Sequence, residues 1–178
     1  MNKAAFIDRD GVINEDRAYV HRIADFHFLP GALAALRVLR EAGFRLVVIT
    51  NQSGIARGLF TAAQYLVLED YMRARMSEAG AGVDAVKYCP HGPDDGCECR
   101  KPRPGMILTA AAQLDIELAQ SILIGDRRAD IEAGRAAGVG RCYLVRSGQL
   151  FSDGDAQLAD GVYEDLAQCV REVLRSGG

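Results

Sequence analysis

A doubly wound α/β fold built on a parallel sheet is the architecture that the sequence predicts. Short apolar runs rich in β-branched residues alternate along the chain with longer segments in which apolar residues recur at helical spacing. Glycines stand where those helices would end, at Gly43, Gly80 and Gly138. Alternating strands and helices favour a parallel sheet covered on both faces, and ligands of such sheets bind beyond the carboxyl ends of the strands.

The predicted strands are short and apolar, and the segments between them are long enough for a helical crossover. They are residues 4–7, 44–49, 83–88, 121–124 and 141–145. Polar or charged residues follow each of the first four strands. In a parallel sheet these residues meet at one edge, which is where we expect a functional site.

The predicted helices fill the intervals between the strands. Pro30 and Thr61 lie near the first two helix starts, where proline and threonine favour initiation. The helices are residues 33–41, 62–78, 105–114 and 130–137, followed by a closing helix at 165–174 that packs on one face. No repeat, low-complexity tract or linker divides the chain. We therefore expect a single domain over residues 1–178, without a separate cap domain.

The composition excludes several classes of function. The net charge is −3, which gives no electrostatic reason to expect nucleic-acid binding. No apolar run approaches the roughly 20 residues that cross a bilayer. The N-terminus enters the first strand with no room for a signal peptide. We therefore expect a cytoplasmic monomer that binds neither nucleic acid nor a membrane.

Two carboxylates, Asp8 and Asp10, follow the first strand, and Gly11 then allows the chain to turn sharply. A carboxylate in this place can bind Mg²⁺ through oxygen and attack phosphorus, because the metal screens its repulsion by phosphate. The second carboxyl group can give a proton to the leaving oxygen. Taken alone, an Asp-x-Asp pair is more often a solvated acidic turn.

The other strand ends favour the catalytic interpretation. Residues 50–53, Thr50-Asn51-Gln52-Ser53, offer a hydroxyl, amides and backbone N–H groups to a phosphate. Lys101 supplies a cation that can cancel charge on Asp8 and on a phosphoryl group, and Asp126 is a suitable further Mg²⁺ ligand. Asp130 lies one turn into the next helix. It either orients Lys101 or a metal-bound water, or merely favours the helix N-terminus.

A second cluster combines three thiols and one imidazole in the zinc loop, residues 89–99. Its members are Cys89, His91, Cys97 and Cys99. Thiolates with imidazole favour tetrahedral Zn²⁺, and four protein ligands leave no open catalytic position. A zinc ion here would fix Arg100 and Lys101 over the phosphate. The alternative is three free thiols and an unrelated histidine in a surface loop.

The ordered set of motifs resembles the haloacid dehalogenase superfamily of phosphatases, from residue 6 to about residue 145. Runs at residues 8–14, 50–58 and 99–106 are similar to the family of D-glycero-D-manno-heptose 1,7-bisphosphate 7-phosphatases. The resemblance implies a Rossmann-like fold of haloacid dehalogenase type with a zinc-binding loop. It also implies Mg²⁺-dependent removal of the 7-phosphate of the heptose bisphosphate through an aspartyl-phosphate. The pathway would be nucleotide-activated heptose biosynthesis, for lipopolysaccharide or other cell-surface glycans.

The resemblance also implies a role for each matching residue. Asp8 would be the nucleophile and a Mg²⁺ ligand, and Asp10 the general acid/base that gives the metal its backbone carbonyl. Asp126 would complete the protein's share of the Mg²⁺ shell, while Thr50 and Lys101 would hold the phosphoryl group. Arg127 stands where this family often has Lys, so its reach and hydrogen-bond geometry differ. Expected substrate contacts are Asp16, Arg17, Ala18, Tyr19, Thr50, Asn51, Gln52, Ser53, Arg100, Lys101 and Arg127.

Three other functions stay open on sequence. The histidinol-phosphate phosphatase domain shares the catalytic set and the metal cluster, and another small phosphorylated metabolite would suit the same chemistry. A phosphorylatable signalling domain also brings Asp, Thr and Lys together at strand ends. Without a cap domain, substrate specificity must come from residues 15–27, residues 52–60 and the zinc loop.

Overall fold

A six-stranded, wholly parallel sheet lies at the centre of the computed structural model, which describes residues 1–176. The strand order is β3-β2-β1-β4-β5-β6. The strands are β1 (Ala4–Ile7), β2 (Arg45–Asn51), β3 (Ala85–Cys89), β4 (Ile122–Gly125), β5 (Arg141–Val145) and β6 (Gly161–Tyr163). The order reverses between β1 and β4, and this switch point is where doubly wound sheets form ligand sites.

Helices connect the strands and cover the sheet. They are α1 (Ala32–Glu41), α2 (Ala62–Glu78), α3 (Gly105–Leu114), α4 (Arg128–Ala137), α5 (Asp153–Ala156) and α6 (Leu166–Ser176), with single 3₁₀ turns at Ile23–Asp25 and Leu118–Gln120. Thr61 caps α2 by accepting a hydrogen bond from the Gln64 N–H, and Gly138 ends α4 in the left-handed conformation.

Two hydrophobic cores follow from the alternation of side chains along the strands. On β1, Ala5 and Ile7 face one core with α1, α2 and α6, while Ala4 and Phe6 face the other with α3 and α4. Burial of each large apolar side chain stabilises the fold by roughly 1.5–3 kcal/mol. Helices pack on both faces of the sheet, so the side chains at its carboxyl edge are attached to a rigid backbone.

The predicted fold class is confirmed, and the differences concern short elements. Strand β6 and helix α5 were not predicted, because β6 has three half-buried residues and α5 has four residues with none buried. Helix α4 begins at Arg128, two residues earlier than predicted, which places Asp130 in its first turn. Within residues 1–176 no insertion forms a cap domain. None of the helices in this range combines the length and apolar character needed to cross a membrane.

Candidate active site

Acidic side chains stand at the carboxyl ends of β1 and β4, on either side of the switch point. Asp8 continues the sheet ladder, since its N–H donates to the Ile124 carbonyl at 3.0 Å, and Asp126 follows β4. Gly11 has φ +84°, and a Cβ on it would lie 2.5 Å from the Asp126 Oδ2. Only glycine therefore lets the turn after Asp10 approach the Asp126 carboxylate so closely.

Lys101 brings a buried cation to the same edge. Its Nζ donates to Asp130 Oδ1 at 2.6 Å and to the Ile49 carbonyl at 3.0 Å, and it lies 2.9 Å from Asp8 Oδ1. Burial by itself would lower the pKa of Lys101, but the charges of Asp130 and Asp8 raise it above its ordinary value. The ammonium group therefore stays charged beside Asp8.

Asp130 serves both Lys101 and the start of α4. While its Oδ1 accepts from Lys101, its Oδ2 accepts from the backbone N–H groups of Asp126 at 3.2 Å and Arg127 at 3.0 Å. The sequence left its role open between orienting Lys101 or a metal-bound water and merely favouring the helix N-terminus. The structure shows both contacts, because α4 begins early enough to place Asp130 in its first turn.

The buried carboxylates form a site that fits a divalent cation. Oxygens of Asp8, Asp126 and Asp130 lie within 4.8 Å of one another. Burial, together with the charges of Asp8 and Asp130, raises the pKa of Asp126 to about 8, and burial also raises the pKa of Asp8. Asp126 Oδ1 is buried without a hydrogen-bond partner. The Lys101 ammonium contacts Asp8 and Asp130, and the nearest cation to Asp126 is Arg127, whose Nε lies 3.7 Å from Asp126 Oδ1. Hard oxygen donors of this kind suit Mg²⁺.

The Asp10 carboxylate is held by three donors. Its Oδ1 accepts from Arg9 Nη2 at 2.9 Å and from Asn14 Nδ2 at 3.0 Å, and its Oδ2 accepts from Gln52 Nε2 at 3.1 Å. Arg9 is only 1% exposed, and its Nη2 also donates to the Val20 carbonyl at 2.7 Å. Asp10 therefore has a fixed orientation before any substrate binds.

The end of β2 supplies a hydroxyl and two amides. Thr50 is buried, and its Oγ1 accepts from Gln52 Nε2 at 2.9 Å. The Asn51 side chain pairs with the backbone of Lys101, donating to its carbonyl and accepting from its N–H, both at 3.1 Å. Asn51 therefore fixes the backbone that carries Lys101. This contact is one that the sequence did not indicate.

Asp8, Asp10, Lys101, Asp130 and the side chains at the end of β2 line a cavity of about 250 Å³, whereas Asp126 is fully buried and does not line it. Arg17 does not line it; this residue pairs with Glu15 and lines a neighbouring cavity of about 530 Å³. Gln149 lines the first cavity, although the sequence did not single it out. The predicted residues that line the first cavity are Asp8, Asp10, Asp16, Ala18, Tyr19, Thr50, Asn51, Gln52, Ser53, Arg100, Lys101 and Arg127.

The four predicted zinc ligands converge, with their donor atoms within 4.8 Å of one another. The Sγ atom of Cys89 lies 3.6 Å from that of Cys97 and 3.0 Å from that of Cys99, and His91 Nδ1 lies 3.3 Å from Cys99 Sγ. All three cysteines are free thiols. Tetrahedral zinc with Zn–S bonds of about 2.3 Å needs sulfur atoms about 3.8 Å apart. The Cys89–Cys97 distance is close to this spacing, and Cys99 would have to move away from Cys89 by about 0.8 Å. The donor set fits zinc in the type and number of its ligands and in their proximity.

Arginines hold the backbone of the zinc loop. Arg100 Nη1 donates to the His91 carbonyl at 3.2 Å, and Arg103 Nη1 donates to the carbonyls of Gly96 and Cys97, each at 2.7 Å. Lys101 lies between these two arginines in sequence. The loop and its donor set are therefore tied directly to the segment that delivers the buried ammonium group.

Comparison with known proteins gives a HAD-like family model and curated relatives that are heptose bisphosphate phosphatases. The family model described as HAD-hydrolase-like matches residues 98–169. A D-glycero-beta-D-manno-heptose-1,7-bisphosphate 7-phosphatase from Yersinia pestis is 44% identical, with 96% of this chain and 94% of that protein covered.

Solved structures agree with the sequence relatives. A D,D-heptose 1,7-bisphosphate phosphatase from B. bronchiseptica, complexed with magnesium and phosphate, is 38% identical with a TM-score of 0.86, covering 98% of this chain and 99% of that one. A D,D-heptose 1,7-bisphosphate phosphatase from Burkholderia thailandensis is 30% identical with a TM-score of 0.69, covering 97% and 98%.

Proposed function

We propose that this chain, which belongs to the family of D-glycero-β-D-manno-heptose-1,7-bisphosphate 7-phosphatases among the HAD-like hydrolases, removes the 7-phosphate of that heptose bisphosphate. One geometry supports this chemistry above all. Asp8 stands against the Lys101 ammonium at the wall of a polar cavity, next to the Asp126 oxygen that has no hydrogen-bond partner. A nucleophilic carboxylate, a cation and a metal ligand thus meet where one phosphoryl group would sit.

In the first step, Asp8 attacks phosphorus, the bond from phosphorus to the sugar oxygen breaks, and Asp10 gives its proton to the leaving oxygen. In the second, Asp10 takes a proton from water, the water oxygen attacks phosphorus, and the bond to Asp8 breaks to release phosphate. The carboxylates of Asp8 and Asp126 and the Asp10 carbonyl would hold Mg²⁺, which would supply positive charge that screens the repulsion between phosphate and Asp8.

Lys101 and Thr50 hold the phosphoryl oxygens during both steps. Phosphate-monoester hydrolysis is so slow without a catalyst that on the order of 20 kcal/mol of transition-state stabilisation is required. Most of it comes from positioning and charge neutralisation, since the phosphoryl group itself needs little covalent help. Lys101, which is buried and paired with Asp8, supplies charge neutralisation, and Asp10, whose carboxylate is already oriented by its hydrogen bonds, supplies positioning.

Cations at the cavity wall support a bisphosphate substrate. Arg100 and Arg127 line the cavity, and arginine pairs with phosphate through two parallel hydrogen bonds. Asp16, Ala18 and Tyr19 stand on a further wall, where they would meet the sugar. We assign Arg17 to the rim, because it lines the neighbouring cavity.

Zinc in the four-residue donor set would keep Arg100 in place. We also propose that the protein has a single domain and acts as a monomer in the cytoplasm.

Phosphate release from purified protein tests the substrate. With Mg²⁺ present, we expect kcat/KM for heptose 1,7-bisphosphate, assayed as separate α and β anomers, to exceed that for histidinol phosphate by at least about a hundredfold. The reason is that a site with polar partners for a second phosphate discriminates strongly against substrates that lack that phosphate. Chelation of Mg²⁺ should abolish both activities. Faster release from histidinol phosphate would contradict the assigned sugar. A stable phosphoprotein without turnover would contradict the assigned reaction class.

A further inference from the structure

The segment after β5, residues 147–149, is packed directly against the metal-site carboxylate. The backbone N–H of Gln149 donates to Asp126 Oδ2 at 2.8 Å, and Ser147 Oγ donates to the Gly11 carbonyl at 2.7 Å. A Cβ on Gly148 would lie 2.1 Å from Asp126 Oδ2, so this approach is close enough to require glycine. The position of Gln149 is thus fixed relative to Asp126 by its backbone alone.

From that fixed position, the Gln149 side chain reaches the substrate loop, residues 16–19. Its Nε2 donates to Asp16 Oδ2, and Arg127 Nη2 donates to the same oxygen at 3.1 Å. The other carboxylate oxygen, Asp16 Oδ1, accepts from the Ala18 N–H at 3.1 Å. Both Asp16 oxygens therefore have protein donors, so this side chain organises the loop.

The substrate loop needs external support, because two of its residues are strained. Ala18 and Tyr19 have φ of +53° and +56°, a left-handed conformation that side chains with a Cβ rarely adopt. Both line the active-site cavity. The contacts at Asp16 support this conformation at the N-terminal end of the strained pair, and His21 Nδ1, 2.8 Å from the Tyr19 carbonyl, supports it at the other end.

We propose that Gln149 is a positioning residue for sugar recognition. By bonding Asp126 through its backbone and Asp16 through its side chain, it sets the sugar-binding wall at a fixed distance from the metal-site carboxylate. Arg127 is the second donor in this clamp on Asp16. The role in recognition rests on the sugar substrate proposed above, whereas the clamp itself is a property of the loop.

Gln149 bonds Asp16 through its side chain and Asp126 through its backbone N–H. A substitution of the side chain therefore removes the first bond and leaves the second. Gln149→Leu removes the donor to Asp16 and keeps the backbone bond to Asp126. We expect it to lower kcat/KM for heptose 1,7-bisphosphate about tenfold more than kcat/KM for p-nitrophenyl phosphate, through KM, since loss of ground-state sugar contacts raises KM. Gln149→Lys restores an N–H donor and should recover most of the ratio. Leu150→Ala, at a fully exposed neighbour, is the matched control.

Limited trypsin digestion tests the clamp without a substrate. Cleavage between Arg17 and Ala18, identified by mass spectrometry, should be at least about threefold faster in Gln149→Leu than in the wild type, because local opening governs cleavage. Leu150→Ala should match the wild type. Equal cleavage rates in Gln149→Leu and wild type would overturn the inference, as would an unchanged ratio of the two kcat/KM values. A wild type inactive on heptose 1,7-bisphosphate would instead overturn the proposed substrate, and the digestion would still decide whether the clamp exists.

Discussion

The ammonium nitrogen of Lys101 lies 2.9 Å from Asp8 Oδ1, and both side chains are buried. A cation in this place lowers the cost of bringing a phosphate dianion to a carboxylate nucleophile, because it faces both groups at once. Asp130 holds the same nitrogen at 2.6 Å. The three side chains form the electrostatic centre of the site, and each can be tested separately.

Lys101→Met should lower kcat for phosphate release by at least about a thousandfold, because it removes the cation that contacts both Asp8 and the phosphoryl group. Steady-state kinetics at saturating Mg²⁺ measure this change. Lys87→Met is the matched control, since the Lys87 ammonium bonds Gln113 and does not line the cavity. Activity of Lys101→Met within tenfold of the wild type would refute the assigned role.

Asp130→Asn should lower kcat by about ten- to a hundredfold and leave KM within a few-fold. The amide keeps an oxygen for Lys101 but loses the charge that raises the pKa of the ammonium group and orients it. Glu132→Gln, on the same helix and bonded only to Arg128 among the described contacts, controls for loss of a carboxylate. Equal kinetics for the two variants would contradict a specific function for Asp130.

Zinc binding has a direct chemical test. The purified protein should contain one zinc ion per chain by atomic spectroscopy, and Cys99→Ser should lower that content and reduce kcat/KM at least about tenfold, because the loop before Arg100 and Lys101 would lose its anchor. Cys142→Ala should keep the zinc, since that buried thiol belongs to the core. Full activity of a zinc-free protein would contradict the proposed positioning function.

Much of this site could be predicted from sequence, because its chemistry is concentrated at strand ends. Asp8, Asp10, Thr50 and Asp126 each follow or end an apolar strand, and parallel pairing brings those ends together. Their contacts with the rest of the chain could not be predicted. The Asp16–Gln149 bond joins residues 133 positions apart, and neither the length nor the composition of the segment between them specifies it.

Short elements show the same limit. Strand β6 has three residues and α5 has four, which is too few for either to display a period. Arg9 stands between the two aspartates of a recognisable motif, yet its burial and its bond to the Val20 carbonyl arise only from packing. Periodicity and strand-end chemistry therefore predicted the frame, while the supporting contacts depend on tertiary structure.

Asp84 should contribute stability that depends on pH. Burial alone would raise its pKa, but hydrogen bonds from the Leu46 N–H and from Arg45 and Arg40 bring it below the ordinary value. A lowered folded-state pKa gives stability that is complete above the unfolded value, near pH 4, and is lost as pH falls through the folded value.

Asp84→Asn should therefore lower the free energy of unfolding by about 1–2 kcal/mol at pH 7, and the difference from wild type should shrink below about pH 4. Urea denaturation followed by circular dichroism between pH 3 and pH 7 measures both quantities. Asp70→Asn, at an exposed position on α2, should change neither. Parallel stability curves for Asp84→Asn and wild type would show that the ion pairs at Asp84 make no pH-dependent contribution.

Rapid acid quenching during turnover of a radiolabelled phosphomonoester tests the covalent chemistry of Asp8 most directly. In the wild type, label should appear on the protein within the first turnover, be released by hydroxylamine as expected for an acyl phosphate, and map to the peptide that contains Asp8. Asp8→Asn should carry no label and release no phosphate, although it still binds phosphate. Phosphate release by Asp8→Asn at a substantial fraction of the wild-type rate would contradict the account.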